Sequence, residues 1–110
     1  MKLTQPTICP KFEKAITLLS QRWTALVMYQ LLLGTQRFSE IQSAIGISGK
    51  VLSERLKELE KLEIVNREVI PDTPVIIQYS LTDKGRSMKQ ILQTIEDWSQ
   101  EWIEKELSLD

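Results

Sequence analysis

The stretch ISGKVLSERLKELEKLEIV, residues 47–65, carries the pattern on which the fold assignment depends. At about 100° per residue, Leu52, Leu56 and Leu59 fall within one narrow stripe of a helix, which predicts that this side faces the core. The opposite side carries polar and charged residues, namely Lys50, Ser53, Glu54, Lys57 and Lys61. Such a helix is either a solvated surface helix, which is a common element, or one that contacts another molecule. The flanking sequence has to decide between the two.

Upstream of this stretch, the sequence predicts a short helix and a tight turn. Ser39 and Gln42 have the spacing of a capping box, which predicts that Ser39 caps the short helix. Gly46 ends this helix, and Ser48 can cap the next one. Two helices joined by a turn of three or four residues that contains glycine form a helix-turn-helix, which we predict at about residues 35–62.

After residue 62 the pattern changes from helical to strand-like. The segments EIVNREVI (63–70) and VIIQYSL (75–81) are rich in β-branched residues, and PDTP between them is a turn signal. They predict a β-hairpin at 63–81, directly behind the helix-turn-helix. A hairpin in this position is a wing, so the order of elements predicts a winged helix-turn-helix.

Three further helices complete the predicted fold. Residues 11–19 have apolar residues at helical spacing, and residues 22–33 are apolar on most sides, which is typical of a centrally packed helix. Thr82 can cap a last helix that spans 82–107. We therefore expect one domain over residues 1–110, mainly α with a small β-hairpin wing and a long C-terminal dimerisation helix.

Composition restricts the class of protein. With 110 residues, 42% of them hydrophobic, the chain is expected to form one compact core. Its longest apolar run is far shorter than the roughly 20 residues of a membrane span, and the N-terminus lacks the apolar core of a signal peptide. The single cysteine excludes an internal disulfide and fits a reducing cytoplasm. The absence of histidine removes the commonest general base and the commonest transition-metal ligand. We therefore predict a cytoplasmic protein that is not an enzyme, does not enter the membrane and holds no metal or cofactor.

Charge is unevenly distributed, although the formal net charge is only −1. Residues 1–50 carry six basic and two acidic groups, residues 51–95 carry seven of each, and residues 96–110 carry six acids and one lysine. Such asymmetry can give a nearly neutral protein a basic face for nucleic acid. It can also arise by chance from surface composition, so it does not identify a partner by itself.

The N-terminal residues of a recognition helix point toward base edges in the major groove. In this sequence that end carries Ser48, Lys50 and Ser53, whose side chains are small or charged, while Lys57 can meet phosphate further along. Arg55 lies at the edge of the apolar stripe and either contacts phosphate or pairs with a core-side carboxylate that locks the helix in place. The DNA-binding candidates are Arg37, Ser48, Lys50, Ser53, Arg55, Lys57 and Arg67.

The last predicted helix carries an apolar seam of coiled-coil type. Met88, Ile95 and Trp102 recur every seven residues, with Leu92 or Ile91 and with Trp98 at the intermediate positions. The seam either packs on the chain's own core, as Met88 and Ile91 can, or binds a partner chain. Two tryptophans beyond the expected end of a small core favour a homodimer. The interface candidates are Met88, Ile91, Leu92, Ile95, Trp98 and Trp102.

The chain contains several short motifs in this order: CP at 9–10, RWT at 22–24, RFSEI at 37–41, GISGKVLSERLKELE at 46–60 and YSLTDKG at 79–85. With these motifs, residues 9–86 resemble the HxlR family of bacterial winged helix-turn-helix transcription regulators, distant relatives of MarR-type regulators. The resemblance implies a cytoplasmic repressor or activator that binds double-stranded DNA as a homodimer, on an operator with two-fold symmetry.

Three positions depart from the family pattern. Family members commonly carry a proline and then a basic residue before the second wing strand, where this chain has Val75 and Ile76. A basic wing tip can reach into the minor groove, whereas an apolar tip cannot make that contact. Position 49 is often longer and polar in the family, and Gly49 has no side chain to contact a base. The apolar tip, the near-neutral charge and the acidic C-terminal turns leave an alternative open, a winged-helix module that binds protein rather than DNA.

Cys9 is the candidate redox-sensing residue. It precedes Pro10, which places it at or beside the N-cap of the first helix, where unpaired backbone N–H groups, Lys11 and Lys14 stabilise a thiolate. The family resemblance adds that some members sense oxidants or electrophiles through a cysteine at this position. The alternative is a buried cysteine that behaves as a small hydrophobic residue.

Overall fold

The computed structural model describes residues 8–104. In chain order the elements are α1 (Pro10–Ser20), α2 (Thr24–Leu31), β1 (Gln36–Arg37), α3 (Phe38–Ile45), α4 (Gly49–Lys61), β2 (Val65–Ile70), β3 (Ile76–Leu81), α5 (Asp83–Arg86) and α6 (Lys89–Trp102). The fold is mainly helical with a small antiparallel sheet, which confirms the predicted winged helix-turn-helix. Within residues 8–104, no helix combines the length and the apolar character that crossing a membrane requires.

The core is centred on α4 and α2, and α3, the wing and α6 contribute further buried residues. Leu52, Leu56 and Leu59 of α4 are 0%, 1% and 0% exposed, which confirms that the leucine stripe faces inward. Val27 and Met28 of α2 are fully buried in the same cluster, as a centrally packed helix requires. Burial of these side chains fixes which face of α4 remains at the surface.

The turn between α3 and α4 is built as the sequence predicts. Gly46 ends α3 with a left-handed φ of +71°, and its backbone N–H donates to the carbonyl of Gln42 at 2.9 Å. The side-chain oxygen of Ser48 then accepts a hydrogen bond from the backbone N–H of Val51 at 3.2 Å. Ser48 is therefore the N-cap of α4.

The predicted capping box at the start of α3 is wrong. α3 begins at Phe38, so Ser39 already lies inside its first turn. The backbone N–H of Arg37 donates to the Oε1 of Glu40 at 2.7 Å. Glu40 therefore reaches back to the N-cap from the third helical position, a role that the sequence reading gave to Gln42.

The wing consists of β2 and β3, which pair antiparallel from Val65 opposite Leu81 to Ile70 opposite Ile76. This pairing confirms the predicted hairpin. The strand β1 pairs antiparallel with the other side of β3, so the sheet order is β1-β3-β2. We did not predict β1, because two residues are too few to show a strand period.

A continuous helix over 82–107 was predicted, and this is wrong. Thr82 is an N-cap as predicted: its hydroxyl accepts from the backbone N–H of Gly85 at 3.0 Å and donates to the carbonyl of Glu63 at 2.6 Å. These bonds hold α5 against the base of the wing, and α5 has only four residues. After a short break α6 runs to Trp102, and the predicted end at 107 lies outside the described residues.

Gly85 occupies a position where a larger residue does not fit. A Cβ atom there would lie 2.3 Å from the backbone oxygen of Ile64 and 3.0 Å from the Cδ2 of Leu81. We expect Gly85→Ala to lower the free energy of unfolding by about 1–3 kcal/mol, because backbone at the base of the wing must shift. Urea denaturation measures this change.

Gly49→Ala is the matched control for Gly85→Ala. The added Cβ would lie 3.5 Å from its nearest neighbour, an ordinary contact, and Gly49 is helical. We expect Gly49→Ala to be neutral or to stabilise the fold by up to about 1 kcal/mol. Equal unfolding free energies for the two variants would contradict the close packing at Gly85.

Candidate nucleic-acid interface

The outer face of α4 carries most of the predicted DNA-binding residues. Ser48, Lys50 and Lys57 are exposed, and Ser53 is half-buried. Neither lysine takes part in the ion pairs found within residues 8–104. Both ammonium groups are therefore open to a phosphate or to a base edge.

A cleft of about 360 Å³ lies between α4 and the wing. Ser53 and Lys57 line it from α4, and Arg67 lines it from β2. Glu60 and Tyr79 lie at the same cleft, and Tyr79 is the strand partner of Arg67. The structure thus brings together three predicted site residues that are separated by up to fourteen positions in the sequence.

The start of α4 has a polar neighbour that sequence reasoning missed. A Cβ built at Gly49 would lie 3.5 Å from the Nε2 of Gln42, so the amide of this α3 residue borders the first turn of α4. The sequence reading assigned Gln42 to a capping box, and only the packing of α3 on α4 reveals this position. A polar residue on the first helix of a helix-turn-helix, four residues before the turn glycine, is the signal that could have suggested it.

The two remaining arginine candidates, Arg37 and Arg55, differ in their surroundings. Arg37 is exposed at the junction of β1 and α3. Arg55 instead contacts protein atoms: its Nε donates to the carbonyl oxygen of Arg22 at 3.0 Å, and its Nη1 lies 3.3 Å from the Oε1 of Glu58. Arg55 therefore pairs with a carboxylate, as one of the two alternatives had it, but Glu58 is 48% exposed and does not lie on the core side. The main partner of Arg55 is a backbone carbonyl.

The wing tip is apolar at the surface. Val75 is 55% exposed, whereas Ile76 is half-buried at the start of β3. No basic side chain stands at these two positions to enter a minor groove.

The apolar seam of α6 is exposed, but its composition differs from the prediction. Ile91, Ile95, Trp98 and Trp102 are 47%, 51%, 59% and 63% exposed. Their spacings of four, three and four residues place them on one side of the helix. The assignment of Leu92 to this seam is wrong, because Leu92 is buried in the chain's own core, and Met88 is half-buried against that core.

A second apolar surface, on α1, was missed. None of the side chains of α1 is buried, and Phe12 and Ile16 are 60% and 48% exposed. The helical spacing of these residues predicted the helix but not which neighbour its apolar side would contact. Only the positions of the other elements reveal that α2, α3, α4, α6 and the wing fill the core and leave these two residues outside it.

The helices α2 and α6 are joined by a polar contact beside an apolar groove. The groove measures about 220 Å³, and Leu26 and Ile95 line it from the two helices. The hydroxyl of Tyr29 donates to the carboxylate of Glu96 at its edge. This hydrogen bond, together with partial desolvation and the nearby carboxylate charges of Glu96 and Asp97, raises the pKa of Tyr29 above its ordinary value.

Cys9 lies at the N-cap position of α1 and is exposed. Its carbonyl accepts from the backbone N–H of Glu13 at 3.0 Å, while its side chain makes no cap hydrogen bond. The alternative interpretation, a cysteine buried as a small hydrophobic residue, is therefore wrong. The thiol is accessible to small reagents.

The chain has a helix-turn-helix, lysines on the outer face of its second helix and a hairpin directly behind that helix. Together these elements form a winged helix-turn-helix, a fold that many transcription regulators use. Within this class the chain belongs to the HxlR-like helix-turn-helix family, whose sequence pattern matches residues 18–107. The resemblance that the motifs suggested is thus confirmed. Cys9 lies outside the matched residues.

The relatives of this chain are transcriptional regulators. It is 57% identical over 103 residues to the uncharacterized HTH-type transcriptional regulator YvaP of Bacillus subtilis (strain 168), a match that covers 93% of this chain and 95% of YvaP. The reduced form of the transcriptional regulator YodB from B. subtilis superposes with a TM-score of 0.78 and 45% identity, over 89% of this chain and 97% of that chain.

YodB has also been solved in two treated forms. The diamide-treated form has a TM-score of 0.73 and 45% identity, over 89% of this chain and 98% of that chain. The quinone-bound form has a TM-score of 0.74 and 43% identity, over 86% of this chain and 100% of that chain. The present chain is therefore a transcriptional regulator of the HxlR type, and its relatives are regulators rather than enzymes.

Proposed function

We propose that this chain binds operator DNA sequence-specifically as a homodimer, and that modification of Cys9 by an oxidant or electrophile changes that binding. The proposal rests mainly on one observation: Ser53, Lys57 and Arg67 share a cleft beside the outer face of α4. Such a regulator acts on the chromosome, which lies in the cytoplasm of a bacterium. No catalytic step is needed for this role.

The DNA contacts follow from the positions along α4. Ser48, Lys50 and Ser53 lie at the end that enters a major groove, where a lysine can donate to the acceptor atoms of guanine. Lys57 lies further from that end, and Arg67 faces it across the cleft from the wing, so both suit the phosphates that flank the groove. Arg37, at the start of α3, is a further candidate for a phosphate.

The exposed apolar side chains support a homodimer. Ile91, Ile95, Trp98 and Trp102 form a continuous seam on α6, and scattered single residues rather than seams are usual on the surfaces of monomers. Their heptad spacing suits pairing with a second copy of the same helix. A two-fold dimer places two α4 helices for a two-fold symmetric operator.

The exposure of Cys9 supports a sensing role, and so do the diamide-treated and quinone-bound structures of the relative YodB. The chain has one cysteine, so its thiol chemistry is limited. It can form an adduct with an electrophile, a mixed disulfide with a small thiol, or a disulfide between the two Cys9 residues of a dimer.

A protein-binding module is the second candidate, and the exposed Val75 at the wing tip favours it. The two functions differ in their dependence on salt. Phosphate contacts make the affinity for DNA fall steeply as salt increases, whereas an apolar protein contact does not weaken in this way.

Lys50 and Lys57 test the DNA interface. We expect Lys50→Ala to weaken operator binding more than non-specific binding, because base contacts carry specificity. Lys57→Ala should weaken both alike and reduce the slope of log affinity against log salt by about one unit, as the loss of one phosphate contact does. Fluorescence anisotropy with operator and scrambled DNA over a range of salt measures both effects. If both variants retained the affinity of the wild type, α4 would not be the recognition helix.

Ile95→Glu and Trp98→Glu test the dimer. The wild type should scatter light as a dimer at micromolar concentration, and either variant should be monomeric or insoluble, because a charge in the seam opposes its burial. Gln100→Glu is the matched control, since Gln100 is exposed about half a turn away from the seam and should leave the dimer intact. A monomeric wild type would rule out the proposed dimer.

Cys9→Ser tests the sensing role. We expect a quinone or diamide to modify the wild type at Cys9, located by mass spectrometry, and to change its affinity for the operator. Cys9→Ser should bind the operator with an affinity that the same treatment does not alter. Equal affinities of treated and untreated wild type, or a response of Cys9→Ser like that of the wild type, would make Cys9 a structural residue.

A further inference from the structure

Arg55 was a DNA-binding candidate, yet its side chain is only 18% exposed and is engaged within the protein. Its Nε donates to the carbonyl oxygen of Arg22 at 3.0 Å, and its Nη1 lies 3.3 Å from Glu58. Arg22 belongs to the turn between α1 and α2. The contact therefore joins the proposed recognition helix to a turn that lies 33 residues earlier in the chain.

That turn has a strained conformation that requires support. Trp23, the residue after Arg22, has a left-handed φ of +78°, which is unfavourable for a residue with a bulky side chain. The guanidinium of Arg22 lies 4.8 Å from the centre of the Trp23 ring, and Trp23 packs against the core. The helical ladder of α2 begins only with the carbonyl of Trp23, so the carbonyl of Arg22 is available to a side-chain donor.

The side chain of Arg55 also projects from a different side of α4 than the proposed DNA contacts do. Around α4, Arg55 lies about 160° from both Ser53 and Lys57, since each is two residues away at about 100° per residue. A helix that turns Ser53 and Lys57 toward DNA must direct Arg55 away from it. The cleft that Ser53 and Lys57 line does not include Arg55.

We propose that Arg55 is a positioning residue for DNA binding: it fixes α4 against the α1–α2 turn through the Arg22 carbonyl and does not itself contact phosphate. The inference rests on the proposed function, because it concerns the orientation in which α4 meets DNA. Arginine suits this role, because its planar guanidinium donates in fixed directions, to the carbonyl from Nε and to Glu58 from Nη1.

The salt dependence of operator binding separates positioning from phosphate contact. Arg55→Lys retains the charge but loses the planar donor set, so we expect operator affinity to fall about tenfold or more, with the salt slope of the wild type. Arg55→Gln should behave in the same way. Glu58→Gln keeps an oxygen acceptor for Nη1 and leaves the Nε bond intact, so it should bind as the wild type does. If Arg55→Lys bound like the wild type while Arg55→Gln lowered the salt slope by about one unit, Arg55 would be a phosphate contact and the proposal would be overturned.

Amide hydrogen exchange gives a readout that does not require DNA. In Arg55→Lys and Arg55→Gln, exchange should be faster by about tenfold or more at Thr24 and Val27, whose N–H groups donate to the carbonyls of Gln21 and Trp23. Amides of the β2–β3 pairing should keep the protection of the wild type and show that the fold is intact. Unchanged exchange in the turn would overturn the proposal even if DNA binding fell. A wild type without salt-dependent DNA binding would refute the proposed function alone, and the exchange comparison would still decide whether Arg55 supports the turn.

Discussion

The burial of three leucines on α4 is the constraint on which the rest of the structure depends. Leu52, Leu56 and Leu59 have almost no exposed surface, and each buried leucine contributes roughly 1.5–3 kcal/mol relative to an exposed one. A rotation of α4 that exposed them would therefore be strongly unfavourable. Because the helix cannot rotate, Ser53 and Lys57 must face outward, and the wing can close a cleft beside them. The hydrophobic pattern thus determines the orientation of the polar face as well as the core.

Most of the fold could be predicted from periodic patterns in the sequence, whereas short elements and breaks could not. The stripe of α4, the Ser48 cap, the turn at Gly46 and the hairpin were all readable, because each is a local pattern of several residues. The strand β1 was missed because it has two residues and depends on its pairing with β3. The break between α5 and α6 lies at Ser87 and Met88, and neither residue is of a type that marks the end of a helix in a sequence.

The candidate site, like the fold, was predictable only where it depends on a local pattern. Its residue types on α4 were predictable from helical geometry, but the proximity of Arg67 to Lys57 depends on how the wing packs. The predicted seam on α6 contains residues with different surroundings, because Leu92 is buried in the core while Ile91 is exposed. For Arg55 the sequence left phosphate and a core-side carboxylate as alternatives, and neither indicates the carbonyl 33 residues away to which its side chain donates. Tertiary contacts of this kind leave no periodic signal in a sequence.

The placement of α1 suggests how a change at Cys9 could reach α4. Cys9 stands at one end of α1, which has eleven residues and is therefore about 16 Å long. The half-buried residues of α1, Leu18 and Leu19, lie near its other end, so the end that carries Cys9 is not anchored in the chain's own core. The turn that follows α1 holds the Arg22 carbonyl, to which Arg55 of α4 donates. A helix held mainly at one end can tilt about that end, and such a tilt of α1 would rotate the adjoining turn and change the direction of the Arg22 carbonyl relative to Arg55.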